Sequence, residues 1–511
     1  MAISTAVGLE RISKVVGYQV KKGKYQDVSP NLPMRIAVLA EANQANQASL
    51  DTTAKEIISA TQAGNLYGFG SPIHQIVRIL IPLQGEGVGG IPVVVYPQAE
   101  AVEAVAAERS ITVTGTVSKN ATHAISINGR TGVDGQNYSF SVVTTDTVTT
   151  IATKITDAIN AVIGSPVIAT SAAGVVTLTA KWAGLTSEQL TVESNVFGNA
   201  VGLTYTIGDE ATGVGSPSIA GALTQFGNDW NTIVVNSYDA ATFADLETAN
   251  GTPEDEFPTG KYSPIVFKPF VSMFGSVSSS ASAITTITDA AARKTQVTHV
   301  LSPAPNSKGF TYEASANMAY LWALAGQNTP HLDVSGKSYP DMPVPEDGLI
   351  GDFASYDNRD LIVKAGGSTV DFVNGRYVVT DAVTTYHPVG EITPQWRYVR
   401  SLMQDWNVRY GFYILEAQNV TDKAIAGNDQ VVNVSGVIKP KQWVQILNSY
   451  ADDLSNRALI VEPDFMKASI TVGTGDTNPD RLESAFRYKR SPFARISSTT
   501  AEAGFAFGLR G

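Results

Sequence analysis

Two long stretches of the chain alternate apolar strand patterns with helical ones. The run at 34–42 is continuously apolar, as expected of a strand covered on both faces, and 91–97 is a second such run. Helical spacing at about 52–63 and 71–81 lies between them; Ser71-Pro72 supplies a cap followed by a proline suited to the first helical turn. After residue 213 the alternation resumes. It predicts a helix at 219–227, a strand at 231–237, a helix from Asp239 to Asn250 closed by Gly251, and a strand at 263–270. A helix at 278–293, a strand at 296–303 and a helix at 311–326 follow. Such alternation points to a parallel or mixed sheet with helices on its faces.

Residues 108–213 interrupt this pattern with Thr/Val/Gly-rich strand texture and one helix at about 146–163. In that helix Val148, Ile151, Ile155, Ile159 and Val162 share a face behind the capping candidates Asp146 and Thr147. The segment reads as a small α+β unit inserted into a surface loop, facing outward and dispensable. The final third differs again. Asn374-Gly375 marks a hairpin. Thr393-Pro394 opens a long helix with Trp396, Val399, Met403 and Trp406 on one stripe, and a second helix spans about 440–455. Strands are expected at 468–473, 481–489 and 501–508. The predicted class is mixed α+β and α/β, multidomain. It has an N-terminal extended arm (1–28), an α/β core in two parts (29–107 and 214–365), the β-rich insertion (108–213), a C-terminal α+β domain (366–495) and a C-terminal arm (496–511).

Composition narrows the functions available. The chain has 511 residues, of which 43% are hydrophobic, enough for a large core. Only 16% are charged, against about 25% in an average soluble protein. A surface that poor in charge suits a subunit with several faces covered by other chains. The net charge of −11 argues against a nucleic-acid binder. Without cysteine, disulfides, thiolate metal sites and cysteine nucleophiles are excluded. The first residues lack the apolar core of a secretory leader, and no run of about 18 apolar residues suggests membrane insertion.

Candidate chemistry is sparse. Gly85 to Gly90 fits G-x-G-x-x-G, but a strand pattern follows where a dinucleotide site needs a helix, so the segment reads as a flexible connection. Histidines 74, 123, 299, 331 and 387 are scattered, and His299, inside an apolar strand, reads as a hydrogen-bonded core residue. Asp333, Asp341, Glu346, Asp347, Asp352 and Asp357 lie in one acidic loop without calcium-loop spacing, and read as solvated turn residues. No G-x-S-x-G elbow occurs. No catalytic residue, metal ligand or cofactor site is predicted. What stands out instead is a pair of chain ends with strand character. The C-terminal one, 501–508, either closes its own sheet or is donated to another chain.

Three features then resemble a known family, the Mu-like tail sheath proteins of contractile phage tails. They are the paired-strand stretch 366–386, the segment Asn478-Pro479-Asp480-Arg481-Leu482 followed by a strand and a terminal Ala-Gly-Phe-Ala-Phe, and the order of the parts. The insertion, with its Ser-Ile-Asn-Gly-Arg stretch and following helix, is also similar. One departure is the absence of an Arg-rich run at 420–438. The resemblance implies a structural subunit that polymerises with itself as stacked hexameric rings around a tail tube protein. It also implies baseplate and tail terminator partners, no cofactor, and a place in the virion tail after assembly in the bacterial cytoplasm. It implies strand donation between subunits by the arms, through Val15, Val16, Tyr18 and Val20 at one end and Phe505 and Phe507 at the other. Exposed cations of the C-terminal helices, Arg397, Arg400, Lys439 and Lys441, are the candidates for facing the tube. The rival readings are an enzyme or nucleotide-binding protein on the α/β core, and a secreted surface-layer or adhesin protein.

Overall fold

The computed structural model describes residues 30–253, 256–391, 394–475 and 477–503. Its central sheet uses β1 (Ile36–Glu41), β2 (Lys55–Ile57), β3 (Val93–Gln98), β4 (Ile233–Asn236), β5 (Val271–Ser276) and β6 (His299–Pro303). Their spatial order is β6-β5-β4-β1-β3-β2. All neighbours are parallel except β2, which runs antiparallel to β3. Every residue of β1, β3, β4 and β6 is buried, which is why these segments read as unbroken apolar runs.

The helices covering the sheet start where the caps lie. α1 (Ala60–Tyr67) is capped by the Ser59 side chain; α2 (Pro72–Leu80) is capped by Ser71, with proline in its first turn. The helix expected at 52–63 is therefore corrected. Residues 55–57 instead satisfy the open edge of β3, pairing Lys55 to Val95 and Ile57 to Val93. The strand expected at 263–270 is also displaced, to β5. Pro264 and Pro269 cannot donate to a ladder, and Ile265 is 94% exposed.

The inserted region carries its own buried cluster, including Ile111, Tyr138, Ile151, Ile155, Val176 and Leu178. Its strands form antiparallel sheets of four and three, with α3 (Val148–Asn160) against them. Thr147 caps that helix in a reciprocal capping box with Thr150.

Beyond the insertion come α4 (Phe243–Asn250), α5 (Ala281–Thr288) and α6 (Thr311–Asn328). α6 packs on β4, β5 and β6. The approach at its first residue is very close, since a Cβ on Gly275 would lie 1.8 Å from the Thr311 carbonyl oxygen. Gly275→Ala is therefore expected to cost about 1–3 kcal/mol in urea unfolding. Gly427→Ala, at a site with nothing within 4 Å, is the control.

In the C-terminal third, β7 (Thr369–Val373) and β8 (Arg376–Asp381) form the expected hairpin. Its turn residues Asn374 and Gly375 take φ of 50° and 73°. α7 (Val399–Asn419) begins later than expected, because Arg397 and Tyr398 are held extended against Val383 and Thr384. Its first half, with Met403 and Trp406, belongs to the core of the central sheet. Its second half, with Val408 and Leu415, packs with α8 (Pro440–Asn456). The expected strand at 468–473 starts at Thr471, since Pro463–Ser469 is a short helix.

Candidate assembly interface

In an open parallel sheet, ligands bind outside the carboxyl ends of the strands, where chain direction reverses. Here that point lies between β1 and β4, and the chain fills it itself. Glu41 at the end of β1 is buried, its Oε2 accepting from Thr186 Oγ1 at 2.8 Å. Thr186 in turn accepts from Trp182 Nε1 at 2.9 Å, and the Trp182 ring packs edge-on against Phe310. Asp239, just after β4, accepts from Thr311 Oγ1 at 3.2 Å. Trp182 and Thr186 both come from the inserted region, so the insertion plugs the crevice that an enzyme of this topology would leave open. The insertion is thus tied to the core at this point by the Thr186 and Trp182 hydrogen bonds. On its other side Arg130 reaches Asp341 at 2.7 Å and Glu313 at 3.1 Å, with Arg78 of α2 in the same cluster.

The sequence motifs resolve accordingly. Gly85, Gly87 and Gly89 have φ of 105°, 55° and 64° in a connection that leads into β3. His299 Nε2 lies 3.1 Å from Glu247 Oε1 and its ring stacks on Phe243, so burial lowers its pKa. Three acidic loop residues are committed rather than solvated, which corrects the sequence reading. Asp333 pairs with Arg495, Asp341 with Arg130, and Asp352 accepts the Ala281 amide at 2.7 Å. Among the described residues no group of three His, Asp or Glu could hold a metal ion. Among them, too, no helix is long and apolar enough to cross a membrane.

One open strand edge lies on the C-terminal region. Residues Leu482–Ala485 pair antiparallel with Thr471–Thr474, and Lys489–Arg490 pair with Ile460–Val461. Between them the Arg487 amide donates to Ser469 Oγ at 2.8 Å. By antiparallel alternation, the odd-numbered amides point toward these partners. Those of Leu482, Ser484, Phe486 and Tyr488 point to the opposite edge, which has no backbone partner among the described residues. A cleft of about 710 Å³ runs beside it, lined by Trp396, Phe412, Phe486 and Tyr488 among others.

Salt bridges fix this strand. Asp405 of α7 binds Arg490 Nε at 2.7 Å and Nη2 at 2.6 Å, and takes the Tyr488 hydroxyl at 2.8 Å. The next residues form a strap over the core. Arg400 donates to the carbonyls of His331 and Ser491, each at 2.7 Å. Arg495 pairs with Asp333 and, at 2.7 Å, with Asp381. From Ile496 to Ala503 every residue is exposed, so the strap's contacts with the core end at Arg495. Sequence reasoning missed Asp405, Arg490 and Arg495. The signal available was the alternation in 481–489, with Leu482, Phe486 and Tyr488 on one face and charges on the other.

The predicted site residues scatter. Val15, Val16, Tyr18 and Val20, like Phe505 and Phe507, lie outside the described residues, as does Thr393. Arg400 is only 6% exposed and serves as the clamp just described, so it offers no outward charge. Arg397 is half-buried, facing Asp360, and burial lowers its pKa. Lys439 and Lys441 lie at the start of α8, beside the loop that precedes it, where Lys439 Nζ donates to the Gln430 carbonyl and Lys441 is exposed. On that loop Val431 and Val434 are 85% and 72% exposed. The two lysines sit side by side at the start of α8, whereas Arg400 lies on α7 and Arg397 just before it.

No protein-family model matches the chain. A stretch of 200 residues is 28% identical to the Mu-like prophage FluMu tail sheath protein of Haemophilus influenzae, covering 39% of this chain and 38% of that protein. The resemblance drawn from the sequence and this relative name the same family. Similar solved structures include a sheath tail protein from Desulfitobacterium hafniense, at 10% identity and a TM-score of 0.42 over 93% of this chain and 99% of that one. A sheath tail protein from Listeria innocua has 12% identity and a TM-score of 0.43, over 91% and 93%. The helical sheath of the anti-feeding prophage, in its contracted state, has 11% identity and a TM-score of 0.43, over 97% and 100%.

Proposed function

We propose that this chain is the structural subunit of a contractile tail sheath, polymerising as stacked hexameric rings around a tail tube. On contraction it would drive the tube through the target envelope. The single observation that carries this reading is the open strand edge at Leu482–Tyr488 beside an aromatic cleft, on a strand held rigidly from within. Backbone groups on such an edge bind an added strand wherever one is supplied, and alternate side chains fill the adjoining cleft. The donors are the arms of neighbouring copies, Val15 to Val20 and Phe505 to Phe507. A head-to-tail contact of this kind builds open helical assemblies. The tube, the baseplate and a tail terminator are its other partners, and its place is the virion tail.

The six-part division drawn from the sequence belongs to the same proposal, with the insertion on the sleeve's outer side. The tube-facing surface is assigned to Arg397, Lys439 and Lys441. Exposed charge pairs of about 0.2–1 kcal/mol each suit a contact that must release on contraction. The enzyme reading is disfavoured because Trp182 and Thr186 occupy the crevice where such chemistry would sit.

Negative-stain electron microscopy of the purified chain tests the proposal. Tubes or ring stacks of uniform width are expected, and discrete particles at all concentrations would refute it. Lys439→Glu with Lys441→Glu is expected to reduce co-assembly with tubes and favour empty sleeves. Normal yields of extended, tube-filled sheaths would remove these lysines from the contact.

A further inference from the structure

We propose that the loop Trp182–Ser187 is a releasable plug, and that loss of the Glu41 proton lifts it from the sheet crevice, uncoupling the insertion from the core at that junction. Three contacts seat the plug. Thr186 Oγ1 donates to Glu41 Oε2 at 2.8 Å, the Ala183 amide donates to Glu100 Oε1 at 3.2 Å, and Trp182 Nε1 donates to Thr186 at 2.9 Å. Gly184, at φ 132°, lies so close that a Cβ there would stand 2.8 Å from Glu41 Oε1. Glu41 is 1% exposed, and the lid over it is the plug itself.

The groups facing Glu41 supply no cation. Glu100 follows β3, Tyr238 follows β4, and Tyr312 lies on α6; each of these would carry negative charge or none. Asp239 sits nearby on the same crevice wall, held by Thr311. The Tyr238 hydroxyl is buried without a hydrogen-bond partner among the described residues. Lys181 adjoins the plug but turns its Nζ to the carbonyls of Phe69 and Ile163, at 3.1 and 3.3 Å. Burial pushes Glu41 up to about 8, so rising pH creates an anion beneath the plug that no facing cation balances.

The sign follows from linkage. The folded-state pKa of Glu41 is raised, so the closed plug favours the protonated acid, and this preference is lost as pH rises through about 8. Opening therefore grows about tenfold per pH unit between the ordinary carboxylate range and about 8, as long as the open state remains the minor one, and levels off above that value. The insertion stays attached through the Arg130, Glu313 and Asp341 cluster on its other side, so the opening is local.

Hydrogen exchange of the full chain, at about pH 6.5 and about pH 9 and corrected for intrinsic rates, tests this. The expected result is a loss of protection of about thirtyfold in amides 182–188 at the higher pH, with β1 and β4 unchanged. Glu41→Gln is expected to keep protection at both pH values, and Lys181→Met to leave the wild-type response in place. An equal response in wild type and Glu41→Gln, or one abolished by Lys181→Met, would overturn the proposal. The wild type alone also decides: protection lost evenly across plug, β1 and β4 would mean global unfolding and no latch.

Discussion

Ser484→Pro is expected to abolish assembly while leaving the subunit folded. The Ser484 amide points to the unpaired side of its strand, so the ring removes no hydrogen bond that the subunit makes with itself. It does remove a donor from the middle of the edge proposed to receive a neighbour's strand. The effect on polymerisation should be close to all-or-none, because the same contact repeats at every subunit. Sedimentation and electron microscopy read the loss, and circular dichroism with thermal unfolding checks the fold. Ala485→Pro is the informative contrast. Its amide faces Thr471, so that variant should destabilise the hairpin itself. Sleeves formed by Ser484→Pro at wild-type yield would show that the edge is not an acceptor.

Asp405→Ala is expected to carry a large stability cost, since Asp405 on α7 anchors the strand that leads into the strap. It leaves the Arg490 guanidinium, 20% exposed, without its carboxylate and strips the Tyr488 hydroxyl of its acceptor. Removing one partner of such a buried pair costs about 3–5 kcal/mol, because the remaining charge stays desolvated. Urea unfolding should show that loss. Asp405→Leu combined with Arg490→Met should recover much of it, since a neutral pair of similar bulk carries no stranded charge. A cost below about 1 kcal/mol would place the pair among exposed surface bridges. The variant links stability to function, because the strand that Asp405 anchors is the one whose outer edge is open.

Much of the fold was legible in the sequence because its signals are local. The apolar runs at 34–42 and 91–97 are strands because both of their faces are covered, and only apolar side chains tolerate that. Ser71-Pro72 and Thr147 start helices through contacts within one turn. Asn374-Gly375 turns a hairpin because both residues accept positive φ. The missed elements failed for a non-local reason. Residues 55–57 become a strand because the edge of β3 needs partners, and α7 starts late because Val383 and Thr384 hold the residues before it.

The site divides the same way. The strand character of 481–489 and the absence of catalytic motifs are properties of the chain read in order, and both stand in the sequence. Tertiary structure alone decided the partners of the charged residues. Arg400 carries the same formal charge as Lys441, yet it is turned inward onto the carbonyls of His331 and Ser491, while Lys441 remains in water. Glu41 reads in sequence as an ordinary strand-end acid, and it becomes a buried one only when Thr186, 145 residues away, closes over it. Desolvation depends on what the folded chain brings within a few ångströms, and spacing along the sequence does not encode that distance.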